Sequence, residues 1–410
     1  MRLLVVSQYF WPENFRINDL VRELVSRGHQ VTVLTGVPNY PDGHVFPGFR
    51  REPEKYATYE GAQVVRIPMR PRGKGSARLM LNYLSFLLSG LTFGPWRLRG
   101  QNYDAILMFA TSPITSALPA VLLRRLKRAP MLLWVLDLWP ETLSAVGVVR
   151  APWLLQGVGK LVSFIYRRCD LILAQSRAFF QNIERWSGDT SRIRYLPGWA
   201  EPIFDAELLS VECAPEVSAF QGTFNVMFAG NIGDAQDFPS ILKAANILRD
   251  RADIRWLIVG DGRAADDVRR EIERLGLQDR VVMLGRHPIE KMPSFFRAAS
   301  ALLVSLKAEP IFAMTIPGKV QSYLAAGVPL LGMLDGEGAR VIEESGAGYA
   351  CSAGNSRMLA QHVERLAAVD STQRDEMGRR GRTYCRQEFD RATLISRLEE
   401  WLTGTRYNSA

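Results

Sequence analysis

The residues whose types and spacing could do chemistry are densest in one segment, Thr315-Ile316-Pro317-Gly318-Lys319-Val320-Gln321-Ser322-Tyr323-Leu324-Ala325-Ala326-Gly327-Val328-Pro329-Leu330. Pro317 suits the first position of a helix and Gly327 the residue after its last, so a short helix is fixed at both ends. The free N–H groups at its start, with Lys319 beside them, make an anion site suited to a diphosphate leaving group. Two glycine turns precede it. Gly230-Asn231-Ile232-Gly233 follows the apolar run TFNVMFA, and its glycines let backbone N–H groups approach an anion. Gly260-Asp261-Gly262-Arg263-Ala264-Ala265 follows IRWLIV and matches G-x-G-x-x-A, which makes an NAD(P)-dependent Rossmann oxidoreductase the rival reading. Against it, the next strand-like run, RVVMLG, ends in Gly285-Arg286-His287, without the acidic residue that would hold a ribose.

Such turns need a scaffold, and the chain supplies alternating strands and helices. RLLVVSQ, HQVTVLT, QVVRIP, DAILMFA, APMLLWVL and DLILAQ read as strands in the first half. Between the first two, Ile17, Leu20, Val21, Leu24 and Val25 recur at helical spacing, with Gly28 at the stop. Around Leu196-Pro197-Gly198-Trp199 the pattern breaks, and a polar stretch runs to Gly222. It then restarts with TFNVMFAG, IRWLIVG, RVVMLG, ASALLVSL and VPLLGML. The expectation is two doubly wound parallel α/β domains facing a cleft, 1–200 and 201–385. A helical segment, 386–410, closes the chain and could pack on either domain.

The composition fits this division. At 410 residues, 47% hydrophobic and 23% charged, the chain has room for two or three cores and is neither disordered nor fibrous. Cys169, Cys213, Cys351 and Cys385 form no close pair, which excludes a disulfide scaffold and a CxxC site. The apolar run after Arg2 meets polar Ser7 and Gln8 too soon for a signal peptide, so a cytosolic setting is expected.

The net charge of +9 is uneven. Residues 1–200 carry 26 Lys and Arg against 13 Asp and Glu, leaving 25 against 29 for the remainder. Basic residues including Arg72, Lys74, Arg78 and Arg97 flank Leu79–Trp96, 18 uncharged residues that as a helix would extend about 27 Å. Asn82, Ser85, Ser89 and Pro95 make this a poor spanning helix, while Phe86, Phe93 and Trp96 suit one lying among lipid headgroups. Ala151–Tyr166, ending at Arg167-Arg168, is a second such stretch. An anionic membrane surface is the expected partner. Nucleic acid is not, for lack of any aromatic-interleaved basic strand. The competing reading makes both stretches buried helices with solvated basic caps.

P-x-K-x-x-x-Y-L-A-A-G-x-P-L, with V-G-D-G and V-x-x-L-G-R upstream, resembles the family 4 retaining glycosyltransferases of GT-B fold. The amino end, QYFWPENFRINDLVRELVSRGHQVTVLTGVPNYPDG, and D-L-W-P-E at 137–141 look like the branch that builds bacterial surface polysaccharides such as O-antigen and capsule. The resemblance implies a UDP-sugar donor, possibly carrying an N-acetylated deoxyhexosamine, and a polyprenyl-diphosphate-linked saccharide acceptor. It also implies a place on the inner face of the bacterial cytoplasmic membrane. Gly230, Asn231 and Gly233 would line the diphosphate, and Gly260 would also belong to the donor site. Arg286 and His287 would lie beside the base, and Ile316, Pro317, Gly318, Lys319, Gln321 and Ser322 would hold phosphate and ribose. Asp137 would face the reacting sugar, with the loop from Glu13 to Asn18, including Arg16, under the diphosphate.

The chain departs from the family where two glutamates usually stand eight positions apart. The second place is Ser322, and Glu309 corresponds loosely to the first. The Arg and Lys usual after the Gly230 strand are missing, and Leu136 replaces the His before Asp137. Asp137, Glu309 and Lys319 are the candidates for orienting groups and charge stabilisation. The resemblance implies retention by front-face attack, and the lack of any Asp-x-Asp pair agrees with metal-independent transfer. A non-catalytic, membrane-associated relative that only binds the nucleotide sugar is the remaining alternative. His29 and His44 are read as structural.

Overall fold

Runs such as Ala105–Ala110, AILMFA, in which every residue is buried, need cover on both faces of a sheet, and βαβ windings supply it. The structure is a computed structural model that describes residues 1–41, 43–73, 75–145, 151–205 and 208–407. It divides into two units, Met1–Leu196 with Ile395–Ala410, and Pro197–Leu394.

Unit 1 contains β1 (Arg2–Val6), β2 (Gln30–Thr35), β3 (Thr58–Tyr59), β4 (Ala62–Arg66), β5 (Ala105–Ala110), β6 (Met131–Val135), β7 (Leu171–Ala174) and β8 (Ile193–Tyr195). Their order in the sheet is β3-β4-β2-β1-β5-β6-β7-β8. All neighbours pair in parallel except β3, a two-residue edge strand antiparallel to β4. β3 and β8 escape the sequence pattern because two or three residues carry no periodicity. The first helix, Arg16–Ser26, buries Ile17, Leu20, Val21 and Leu24, and Gly28 follows it at φ +86°, as its stop signal predicts.

The carboxyl-terminal part of the chain is helical and consists of two helices. Ser371–Glu388 ends before Asp390, whose carboxylate accepts the Thr393 N–H at 2.7 Å and starts Arg391–Tyr407. From Ile395 onward this last helix belongs to unit 1, where Ile395, Leu398 and Leu402 are buried. Glu399 there pairs with Arg27 and, at 2.7 Å, with His29 Nε2, so His29 is structural.

Unit 2 contains β9 (Phe224–Ala229), β10 (Ile254–Val259), β11 (Val281–Gly285), β12 (Ala301–Ser305), β13 (Leu330–Met333) and β14 (Gly348–Cys351), ordered β11-β10-β9-β12-β13-β14 and all parallel. Alternate strand residues feed two cores. Val226, Phe228, Trp256 and Ile258 face one, and Met227, Ala229, Leu257 and Val259 the other. The polar stretch after Leu196 forms three short 3-10 turns, Pro202–Asp205, Leu208–Ser210 and Pro215–Phe220, anchored by buried Phe204 and Val217. β14 was not anticipated from sequence.

Candidate functional site

In each unit the strand order reverses once, between β1 and β5 and between β9 and β12. In open parallel sheets, ligands bind beyond the carboxyl ends of the strands at such a reversal. In unit 2 the loop leaving β9 there is Gly230-Asn231-Ile232-Gly233. Gly230 has φ +134° and Gly260 φ +150°, and a Cβ on Gly260 would lie 1.9 Å from Gly230 O. A Cβ on Gly262 would lie 2.2 Å from Ile232 O. Ile232 N–H donates to Asp261 O at 2.9 Å and Ala264 N–H to Ile232 O at 3.1 Å. The G-x-G-x-x-A turn is thus glycine-rich because it packs backbone to backbone against the Gly230 loop, which removes the main support for the oxidoreductase reading.

The predicted short helix is Gly318–Ala326, with Pro317 as its N-cap rather than its first residue and Gly327 closing it at φ +69°. Tyr323 fixes it to the sheet. Its hydroxyl accepts the Ala229 N–H at 3.0 Å and donates to Ala229 O at 3.1 Å, at the end of β9. Lys319, one turn earlier on the same face, lies across that strand end with its ammonium 3.5 Å from the centroid of the Phe228 ring. A Cβ on Gly230 would meet Lys319 Nζ at 2.9 Å, so only glycine leaves the lysine this place. The stem is partly exposed, but Nζ is buried and has no hydrogen-bond partner. Burial pushes its pKa down to about 7.

Other residues expected around the helix are placed differently. Gln321 is buried, with Oε1 unpartnered, and stands two residues from Lys319, which on a helix points it away from the lysine. Ile316 is buried and Gly318 exposed. Ser322, where the resemblance expects a glutamate, has its Oγ 2.9 Å from Glu201 Oε2. Glu309 is the half-buried N-cap of the short helix Pro310–Ala313. Arg286 is exposed, whereas His287 is engaged within unit 2. The His287 Nε2 is 3.0 Å from Leu284 O, its Nδ1 3.7 Å from Glu216, and its ring 4.6 Å from that of Phe295. His287 is therefore better described as a packing residue than as a base contact.

In unit 1 the loop after β1 is held by a buried carboxylate. Glu13 Oε2 accepts the Phe10 N–H at 3.0 Å, and Oε1 accepts the Asn39 and Tyr40 N–H groups, each at 2.7 Å. Burial pushes the Glu13 pKa up, against these three donors and the nearby Arg66 charge. Asn18, expected to touch the donor, has its amide committed to this loop: Oδ1 accepts the Trp11 N–H at 3.1 Å and Nδ2 donates to Glu13 O at 2.6 Å. Arg16, the first residue of its helix, is half-buried. Arg66, its pKa lowered to about 10 by burial, donates to Gly36 O at 2.9 Å and to Trp11 O. Beyond β6, half-exposed Asp137 accepts a hydrogen bond from Ser112 Oγ at 2.7 Å, and Trp139 Nε1 is 3.3 Å from the same hydroxyl.

The apolar stretch 79–96 lies within the helix Ser76–Arg97. Asn82 is fully buried and joins the helix to the segments that follow β1 and β4, its Oδ1 accepting from Gln8 Nε2 and Tyr9 Oη and its Nδ2 donating to Arg70 O. The outward stripe carries Met80, Leu81, Leu84, Leu88 and Trp96, with Trp96 58% exposed under the Arg99 guanidinium. Phe86 was expected on this stripe, but it is 0% exposed. Two residues beyond Leu84 the helix has turned it into the core, so it is not a surface contact. Arg78 is exposed, Arg97 donates to Arg66 O, and Arg72 lies over the Tyr40 ring. Lys74 lies outside the described residues. The helix Pro152–Tyr166 adds exposed Trp153, Leu154 and Phe164. Among the described residues no helix is long and apolar enough to cross a membrane.

Sequence reasoning missed Ser112, Tyr323 and Glu201. Tyr323 could have been found, since it lies four residues after Lys319 on the same helix face. Ser112 and Glu201 meet partners far away in sequence and carry no local signal.

Comparison with known proteins agrees with this construction. Residues 14–199 match the Glycosyl transferase 4-like domain, and residues 223–368 match Glycosyl transferases group 1. The chain therefore belongs to the glycosyltransferases, with the two-domain GT-B fold. It is 26% identical over 282 residues to "Probable glycosyltransferase WbjE" of Pseudomonas aeruginosa, covering 66% of this chain and 68% of that protein. Over 347 residues it is 24% identical to a protein of Escherichia coli named for colanic acid biosynthesis, the glycosyl transferase WcaI, covering 80% and 82%. The crystal structure of Anabaena HepE in complex with UDP superposes with a TM-score of 0.71 at 16% identity, over 98% of this chain and all of that one.

Proposed function

We propose that the protein transfers a sugar from a UDP-sugar to a polyprenyl-diphosphate-linked saccharide during surface-polysaccharide biosynthesis, with retention of configuration and without a metal. The carrying observation is the buried, unpartnered Lys319 ammonium, held by Tyr323 and Gly230 at the start of the Gly318–Ala326 helix. An anion seated there would satisfy a group that otherwise has only the Phe228 ring to offset its burial. The names of WbjE and WcaI and the UDP bound to HepE support the nucleotide-sugar and polysaccharide parts of the reading.

In this reaction the bond from the anomeric carbon to the diphosphate oxygen breaks, and the electron pair leaves with the nucleoside diphosphate. Lys319 and the helix N-terminus stabilise that charge. The acceptor hydroxyl attacks from the same face and gives its proton to a phosphate oxygen. Asp137, oriented by Ser112, stabilises the positive charge developing on the sugar. With a lipid-diphosphate acceptor and a panel of UDP-sugars, UDP release is expected, with product of unchanged anomeric configuration and no loss of rate in EDTA. Silence across UDP- and GDP-sugars would overturn this reading, and donor binding without turnover would favour the non-catalytic alternative.

The acceptor's lipid accounts for the exposed apolar stripe and its basic flanks in unit 1. The chain should co-sediment with vesicles containing anionic phospholipid, release as salt rises toward 0.5 M, and bind neutral vesicles poorly. Trp153→Glu combined with Leu88→Glu should cut the bound fraction several-fold without changing UDP binding. Full binding by this variant would return both helices to a purely structural role.

A further inference from the structure

The first turns of the Gly318–Ala326 helix hold more than an anion site. Three residues after Lys319, and therefore about 4.5 Å further along the axis, Ser322 Oγ lies 2.9 Å from Glu201 Oε2 and 3.2 Å from Gly318 O. The single hydroxyl proton serves the carboxylate in the shorter contact. Glu201 has no other side-chain partner among the described residues, so Oε1 stays available. Its backbone is fixed. Glu201 O accepts the Phe204 N–H at 3.0 Å, Phe204 is buried and stacks on Phe296 at 5.5 Å, and Trp199 on the other side is buried.

A buried ammonium followed within one helical turn by a half-buried carboxylate asks for a ligand that is anionic at one end and hydroxylated at the other. Two vicinal hydroxyls suit a carboxylate, which offers two acceptor oxygens and no donor. A nucleoside 5′-diphosphate has this order of groups, with its charge one ribose away from a cis-diol. We propose that Glu201 selects a ribonucleotide, its carboxylate accepting hydrogen bonds from the ribose hydroxyls while Lys319 takes the diphosphate and Ser322 holds the carboxylate in place. The inference rests on the nucleotide-sugar reading above but adds a residue from the segment just after Leu196, 121 positions from its helix partner. It also predicts a preference for ribose over deoxyribose that the anion site alone cannot produce.

Titration calorimetry of the full chain with UDP and 2′-deoxy-UDP, and with GDP and 2′-deoxy-GDP, separates the possibilities. The wild type should favour the ribonucleotide by about tenfold or more, as expected for hydroxyls bonded to a charged acceptor. Glu201→Ala should bring that ratio close to one, weakening the ribonucleotide far more than its deoxy analogue. Glu201→Gln, which keeps shape and one acceptor, should fall between, and Ser322→Ala should erode the ratio partially. An unchanged ratio in both Glu201 variants, equal weakening of both nucleotides, or no preference in the wild type would overturn the proposal while leaving the donor reading intact. Failure of the wild type to bind any of the four nucleotides would overturn the donor reading, and this inference with it.

Discussion

Lys319→Met should lower kcat/KM for the nucleotide-sugar donor by about 10²–10³-fold while raising the melting temperature of the ligand-free chain. The two effects have one origin. The Lys319 ammonium is buried with no hydrogen-bond partner and only the Phe228 ring beside it, so the ligand-free fold carries a desolvation cost that a bound anion relieves. Its pKa in the folded state, about 7, lies below its ordinary value, so between the two the unfolded chain binds the extra proton. The lysine's destabilising effect is therefore complete below pH 7 and fades as pH rises toward 10. The methionine variant should gain most at pH 6, by roughly 1–3 kcal/mol, and least at pH 9. Thermal melts across that range check the stability half.

Binding must run the other way. A diphosphate beside Nζ favours the charged form, so above pH 7 the protein should take up a proton as UDP binds, and Kd should rise with pH. Calorimetry in buffers of different ionisation enthalpy measures that uptake directly. Lys319→Arg, always charged, should show none. A wild-type Kd that stays level from pH 6 to 9 would remove Lys319 from the anion site, as would an unaltered Kd in the methionine variant.

The second large effect concerns stability in unit 1. Glu13→Ala should destabilise the protein by about 3 kcal/mol in urea unfolding. It strands the Phe10, Asn39 and Tyr40 N–H groups, offset in part because no carboxylate charge is then buried. It also removes the Glu13 charge that acts on buried Arg66. Glu13→Gln should lose somewhat less, since its amide keeps one acceptor oxygen but turns a donor toward donors. A loss below about 0.5 kcal/mol for the alanine variant would mean that the loop after β1 closes over its own backbone groups without this side chain.

How far the sequence could be read depended on whether a signal was local. Pro317 and Gly327 bracket their helix within eleven positions, so its boundaries and its lysine were visible in the chain alone. Eleven of the fourteen strands stood out as apolar runs for the same reason. Leu79–Trp96 was harder, because a helix apolar on all sides does not show which face is covered. Asn82 looked like a flaw in an apolar surface and is the residue that pins it down, while Phe86 looked outward and faces in. The glycines of G-x-G-x-x-A advertised a ligand but serve a backbone contact with a loop thirty residues earlier. Glu201 and Ser112 could not be paired with Ser322 and Asp137 at all, since only the folded sheet brings them together.

The last helix of the chain also bears on how the protein is made. Its buried Ile395, Leu398 and Leu402, and the grip of Glu399 on Arg27 and His29, belong to a unit whose other parts lie before residue 197. On the ribosome this closing piece emerges only after the whole of unit 2 has been translated. The amino-terminal sheet must wait with one flank uncovered for nearly two hundred residues of synthesis, so the domain begun first is the one completed last.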